Sequence, residues 1–161
     1  MNEEQLIAMI AALRDKAAAE MRELLRTASP PVLQKIAVDI VPALLRIASY
    51  AGEPFDRGEN FGEAVARSRV AGLPAILVRV HRGPFGPADG NAIAASMRVA
   101  DVSQVAVAFI ADRAVNVAPY IGAEAQWVLD LDGLINLMLA SGLGVTQRTY
   151  DAKYVDAPYF Q

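Results

Sequence analysis

The stretch Ala75-Ile76-Leu77-Val78-Arg79-Val80 runs directly into Gly83, Pro84, Gly86 and Pro87. It is too short for a helix, rich in aliphatic residues and closed by turn formers, so it predicts a buried strand. Working outward, Asn91–Val99 carries helical spacing and Val105–Ile110 (VAVAFI) is a second apolar strand. Trp127–Leu129 reads as a third strand, and Asp132–Ser141 as a helix ended by Gly142 and Gly144. Strands alternating with helices predict an α/β fold with crossover helices on the sheet. Arg148–Asp156 alternates loosely, like a final exposed strand.

Toward the N-terminus, Leu6, Ile10, Leu13, Ala17, Met21 and Leu24 recur at steps of three and four, which predicts an amphipathic helix over 3–27. Ser29-Pro30-Pro31 stops it, because a proline disfavours helical geometry in the residue before it. A second helix is predicted over 32–49, apolar on most faces and therefore central and buried, with a kink at Pro42. From Ala51 to Gly72 the periodicity dissolves into Gly, Pro and charged residues. No repeat or long linker interrupts the chain. Residues 1–28 are expected as an N-terminal helix and 29–161 as a domain forming one globular unit with it.

The composition is 54% apolar with no cysteine, so there is no disulfide, thiolate metal site or cysteine nucleophile. Met1-Asn2-Glu3-Glu4 is acidic where a secretory signal is basic, and no apolar run reaches membrane-spanning length. The expectation is a cytoplasmic protein without a membrane partner. The net charge of −3 does not advertise a nucleic-acid binder, but its distribution is uneven. Between residues 64 and 98, Arg67, Arg69, Arg79, Arg82 and Arg98 face only Asp89.

The C-terminal third reads Asp130-Leu131-Asp132-Gly133-Leu134, then Leu137-Met138, then Gly142-Leu143-Gly144-Val145. Thr149-Tyr150-Asp151-Ala152-Lys153, Asp156 and Tyr159-Phe160 follow. Upstream, Ser29-Pro30-Pro31-Val32-Leu33 leads to Ile36, Asp39 and Ile40. In order and spacing these segments resemble the nuclease domain of Mrr-type restriction endonucleases, over roughly residues 25–160. The resemblance implies a restriction-endonuclease-like fold of the PD-(D/E)XK class, a mixed central sheet flanked by helices. It also implies a restriction or defence context with DNA as partner. In that family an Asp, then a Glu or Gln, one spacer and a Lys sit on adjacent strands. The oxygens hold Mg²⁺, and the metal and lysine orient a hydroxide for attack on a phosphodiester.

Here that strand reads Ile76-Leu77-Val78-Arg79-Val80-His81-Arg82. Arg79 stands where the metal-facing Gln or Glu belongs and His81 where the Lys belongs. Glu63 lies at a plausible distance upstream for the first carboxylate, and Gln34 replaces the first helix's usual Glu. The glycine signature around the family's Asp is missing. A guanidinium has no lone pair for a metal, and a unit charge ~4 Å from Mg²⁺ costs roughly 8 kcal/mol at an effective dielectric near 20. Histidine, mostly neutral at pH 7, does not supply lysine's fixed charge. Glu63, Arg79 and His81 are thus expected as a degenerate catalytic set, with no metal and no cofactor.

Three functions follow from these residues. One is a non-cutting nuclease-fold protein that touches DNA weakly and without sequence preference through Arg67, Arg69, Arg79, Arg82 and Arg98. Another is a working Mg²⁺-dependent endonuclease with migrated carboxylates, using Glu63 with Asp56 or Glu59. The last is a scaffold or oligomerisation module, pairing as a homodimer or with a partner protein through residues 6–24 or the 148–156 edge.

Plainer roles stand beside these. His81 suits a hydrogen-bonded turn, the arginines a solvated surface, Gly83–Pro87 a turn, and Trp127 and Tyr120 the core or its rim. The 6–24 face suits packing on its own domain, and Asp132 a helix cap.

Overall fold

The computed structural model describes residues 2–123, 125, 127–146 and 158. Eleven elements follow one another among them: α1 (Glu3–Arg26), α2 (Pro30–Asp39), α3 (Val41–Leu45), β1 (Tyr50–Gly58), β2 (Phe61–Ser68), β3 (Ile76–Arg82), α4 (Pro87–Ala100), β4 (Gln104–Ile110), α5 (Ala118–Ile121), β5 (Trp127–Leu129) and α6 (Leu131–Ser141). The strands form one sheet in the order β1-β2-β3-β4-β5. β1, β2 and β3 are antiparallel neighbours, while β3, β4 and β5 are parallel. The parallel step from β3 to β4 needs a crossover, which α4 supplies. The fold is therefore α/β with a mixed sheet and an N-terminal helix. The strand predicted over 148–156 lies outside the described residues.

β3 is buried on both sides, which is why its sequence shows no polar alternation. Ile76, Val78 and Val80 point to one face, where Leu33, Ile36, Ile40, Leu134 and Ile135 cover them in one core cluster. Leu77 points to the other face, with Val105, Val107 and Phe109 of β4 and Ile93 and Met97 of α4. By the same alternation Arg79 and His81 belong to this second face.

Three expectations are corrected. The single helix over 32–49 is two: α2 ends at Asp39, and α3 stops at Leu45 before Arg46 in a left-handed conformation. Pro42 has no N–H for the Val38 carbonyl, and the axis breaks at Ile40 just before it. The patternless stretch 51–72 holds the hairpin β1–β2. Its glycines misled the reading, because they serve helix packing. A methyl group on Gly62 would overlap the backbone of Leu33 and Gln34, and one on Gly52 would lie 2.7 Å from the Val38 carbonyl oxygen. Backbone of α2 thus rests directly on the hairpin. Finally, Asp130 caps α6, its Oδ1 accepting from the Gly133 N–H at 2.8 Å. Asp132 sits inside the first turn and pairs with Arg22 of α1.

Candidate functional site

β2 and β3 bring Glu63 and Arg79 directly opposite each other as paired positions. Both side chains are sealed from solvent, Glu63 at 0% and Arg79 at 1% exposure. Arg79 Nη1 donates to Glu63 Oε2 at 3.3 Å, and Ser96 Oγ of α4 donates to Glu63 Oε1 at 2.8 Å. Phe61 closes the outer side, with the Arg79 guanidinium carbon 3.8 Å from its ring centroid. That distance is within cation–π range. Both oxygens of the carboxylate are therefore occupied and the guanidinium lies between a carboxylate and an aromatic face.

Burial pushes the Glu63 carboxyl above its ordinary 4.5, with Ser96 and Arg79 opposing the rise. Burial also lowers the Arg79 guanidinium below its ordinary range, with Glu63 opposing. A guanidinium nonetheless stays charged at any ordinary pH, so Arg79 holds Glu63 as its counterion. Arg79 Nε and Nη2 have no hydrogen-bond partner among the described residues.

His81 follows two residues along the same face, buried among Phe85 and Phe109, whose ring centroids lie 5.0 and 6.4 Å from its own. Its Nε2 lies 3.0 Å from the Pro84 carbonyl oxygen. An oxygen acceptor requires the proton on Nε2, which leaves the buried Nδ1, without a partner among the described residues, as the lone-pair nitrogen. Burial lowers the imidazole below 6.5, so the ring is neutral at pH 7.

This donor set does not fit Mg²⁺. A hard cation needs oxygen ligands, and Glu63, the one buried carboxylate among the described residues, already holds a guanidinium and a hydroxyl. Arg79 offers no lone pair, and the imidazole faces aromatic rings. Asp56 lies at the rim, lining a shallow cavity with Phe55, Phe61 and Ser96, and one of its oxygens accepts from the Arg57 N–H. Glu59 is exposed in the hairpin turn. No group of three His, Cys, Asp or Glu residues suited to a metal occurs among the described residues.

Two participants went unnoticed in the sequence. Ser96 sits in an alanine-rich helix and Phe61 beside a turn, so neither carries a local signal. Gln34 has a role its type explains. Its amide nitrogen donates to the carbonyls of Asp56 at 3.2 Å and Glu63 at 3.4 Å, across the irregular register of β1. A carboxylate there would offer only acceptors to acceptors.

The five arginines do not form one stripe. Arg79 is buried, and the half-buried Arg82 donates to the carbonyls of Ala28 and Glu59. Arg67, Arg69 and Arg98 are exposed at the opposite end of the sheet. Arg82 lies beside Asn60, the turn residue just before β2 and seven residues from Arg67, or about 23 Å along the strand. Arg67 also has Glu53 nearby, at 3.8 Å.

Comparison with family models, curated proteins and solved structures gave no match to this chain. No helix among the described residues is long and apolar enough to cross a membrane.

Proposed function

We propose that the chain is an Mrr-like nuclease-fold protein of a restriction or defence system whose cutting centre has become a structural ion pair. The observation that carries this reading is the sealed Glu63–Arg79 pair. It occupies the two adjacent-strand positions where the family resemblance expects a metal-binding carboxylate and its Gln or Glu partner. Sheet pairing supports the mapping, since the two residues meet in register. The fixed positive charge takes over the electrostatic place of the cation while removing the means to hold one. What remains for DNA is weak phosphate contact through the exposed Arg67, Arg69 and Arg98. The first lies on the α4 side of the sheet by strand alternation, and the last is near the end of α4. The net negative charge opposes long-range steering, so this affinity is low and not sequence-selective.

The test combines cleavage and binding. Plasmid DNA, methylated or not, is expected to stay intact with Mg²⁺ or Mn²⁺. Metal-dependent nicking that disappears in Glu63→Ala would restore the working-endonuclease reading. Fluorescence anisotropy across a salt series should show duplex binding that weakens with salt. Replacing Arg67, Arg69 and Arg98 by Ala should lower the slope of log K against log salt by about 2.7, if each neutralises one phosphate. Binding absent at low salt, or indifferent to all three changes, would remove DNA from the proposal.

A further inference from the structure

α1 is 24 residues long, yet only Met21 and Leu25 of it are buried. From Glu3 to Lys16 every residue except Leu6 is exposed, and Leu6 is half-buried. Four turns of helix, roughly 20 Å, stand off the rest of the described protein. High helix propensity accounts for the helix itself, through Ala, Leu, Glu and Lys and the capping box of Asn2 and Gln5. It does not account for what the helix displays. Ile7, Ile10 and Leu13 are 60%, 56% and 51% exposed, and Glu3, Leu6, Ile7 and Ile10 line a shallow groove. A one-sided apolar stripe of this kind on a free helix marks an interaction surface.

We infer that this stripe is the seam of a homodimer in which the free segments of two α1 helices, residues 3–16, pair antiparallel about Ile10. Three features select a second copy in this orientation. The three most exposed large apolar residues of this segment are symmetric about Ile10, with Ile7 three before and Leu13 three after, so reversing one helix sets Ile7 level with Leu13 and Ile10 with its copy, while the half-buried Leu6 falls level with Arg14. The charges are polarised: Glu3 and Glu4 occupy the first turn, and Arg14 and Lys16 flank the single acid Asp15 at the other end. Antiparallel pairing brings each acidic end level with the basic stretch of the other copy and opposes the helix dipoles favourably. A parallel pair would set Glu3 and Glu4 against themselves. Lastly, the body of each protomer begins where α1 packs, at Ala18, Met21 and Leu25. Antiparallel pairing sends the two bodies to opposite ends, whereas parallel pairing would drive them together. The seam is independent of the nuclease-fold reading, since it uses no residue of that site.

The absence of native cysteine makes the test clean. Wild type should sediment as a dimer that dissociates on dilution. Ile10→Asp should weaken it by more than about 100-fold by placing two carboxylates in the seam, whereas Ala12→Asp on the opposite side should not. The fold does not depend on Ile10, so both variants should keep the wild-type denaturation midpoint when monomeric. A short bis-maleimide should link Ile10→Cys chains into dimers and leave Glu3→Cys chains unlinked, because their cysteines would lie about 20 Å apart. Arg14→Glu/Lys16→Glu and Glu3→Lys/Glu4→Lys chains should each be monomeric alone and dimeric when mixed. A wild-type monomer at all concentrations, a dimer indifferent to Ile10→Asp, or linkage through Glu3→Cys in place of Ile10→Cys would overturn the inference.

Discussion

Removing Glu63 should cost more stability than removing Arg79, although the two share one interaction. At 3.3 Å and an effective dielectric near 20, their attraction is about 5 kcal/mol. That gain is set against the desolvation of two buried ions. Glu63→Gln preserves shape but strands a guanidinium that cannot shed its proton, and an expected loss of about 3–5 kcal/mol follows. Arg79→Met strands a carboxyl that burial already pushes upward. That carboxyl can take a proton and keep its Ser96 bond, so the expected loss is smaller, about 2–3 kcal/mol. The sign of the pH dependence follows. A folded-state pKa above the unfolded 4.5 means the native state binds more protons above that value. Stability is therefore lost as pH rises from 4.5 through the folded pKa, and the Arg79→Met deficit should be smaller at pH 5 than at pH 8. The double variant Glu63→Leu/Arg79→Met should recover most of the loss, because a matched apolar pair carries no desolvation cost. Urea denaturation of the wild type, both single variants, the double and Glu63→Leu alone at both pH values gives the cycle, closed by Glu63→Leu, Arg79→Met and their double. Single losses under about 1 kcal/mol that simply add in the double would show a pair behaving as if exposed, and would refute the reasoning.

Other outcomes follow from particular contacts. Gly62→Ala should destabilise by about 3 kcal/mol or more, since the new methyl meets backbone of α2 and not a side chain that can turn away; an unchanged urea midpoint would count against the close approach. His81 has a folded pKa below 6.5, so the unfolded chain binds the extra proton and stability should fall as pH drops below 6.5. His81→Phe should remove that part of the acid sensitivity, seen as a flatter plot of unfolding free energy against pH between 6.5 and 5.5. Asp130→Ala should cost about 1 kcal/mol through the lost cap of α6, and Asp132→Ala less, because Asp132 is exposed and its pairing with Arg22 is a surface ion pair. Reversed order in thermal melts would return the cap to Asp132.

The sequence by itself determined the α/β class, the strands around β3, β4 and β5, and the helices α1, α4 and α6, because hydrophobic periodicity and turn residues are local signals. It also determined that residue 79 carries a charge no metal would accept, since that follows from side-chain type. It did not disclose the β1–β2 hairpin. Gly52 and Gly62 look like loop residues in one dimension, and only the α2 backbone lying on them reveals why they are glycine. Pairing decided the rest. Glu63 and Arg79 are sixteen residues apart, and only antiparallel registration of β2 with β3 makes them counterions. Ser96 and Phe61 join them because the α4 crossover and the hairpin turn return to the same face. Tertiary structure likewise separated five arginines that are close in sequence. It buried Arg79, tied Arg82 to backbone carbonyls and left Arg67, Arg69 and Arg98 to the solvent. The stripe on α1 was plain in the sequence, but whether it faced its own domain was not. Periodicity says which residues share a face, and only packing says what that face meets.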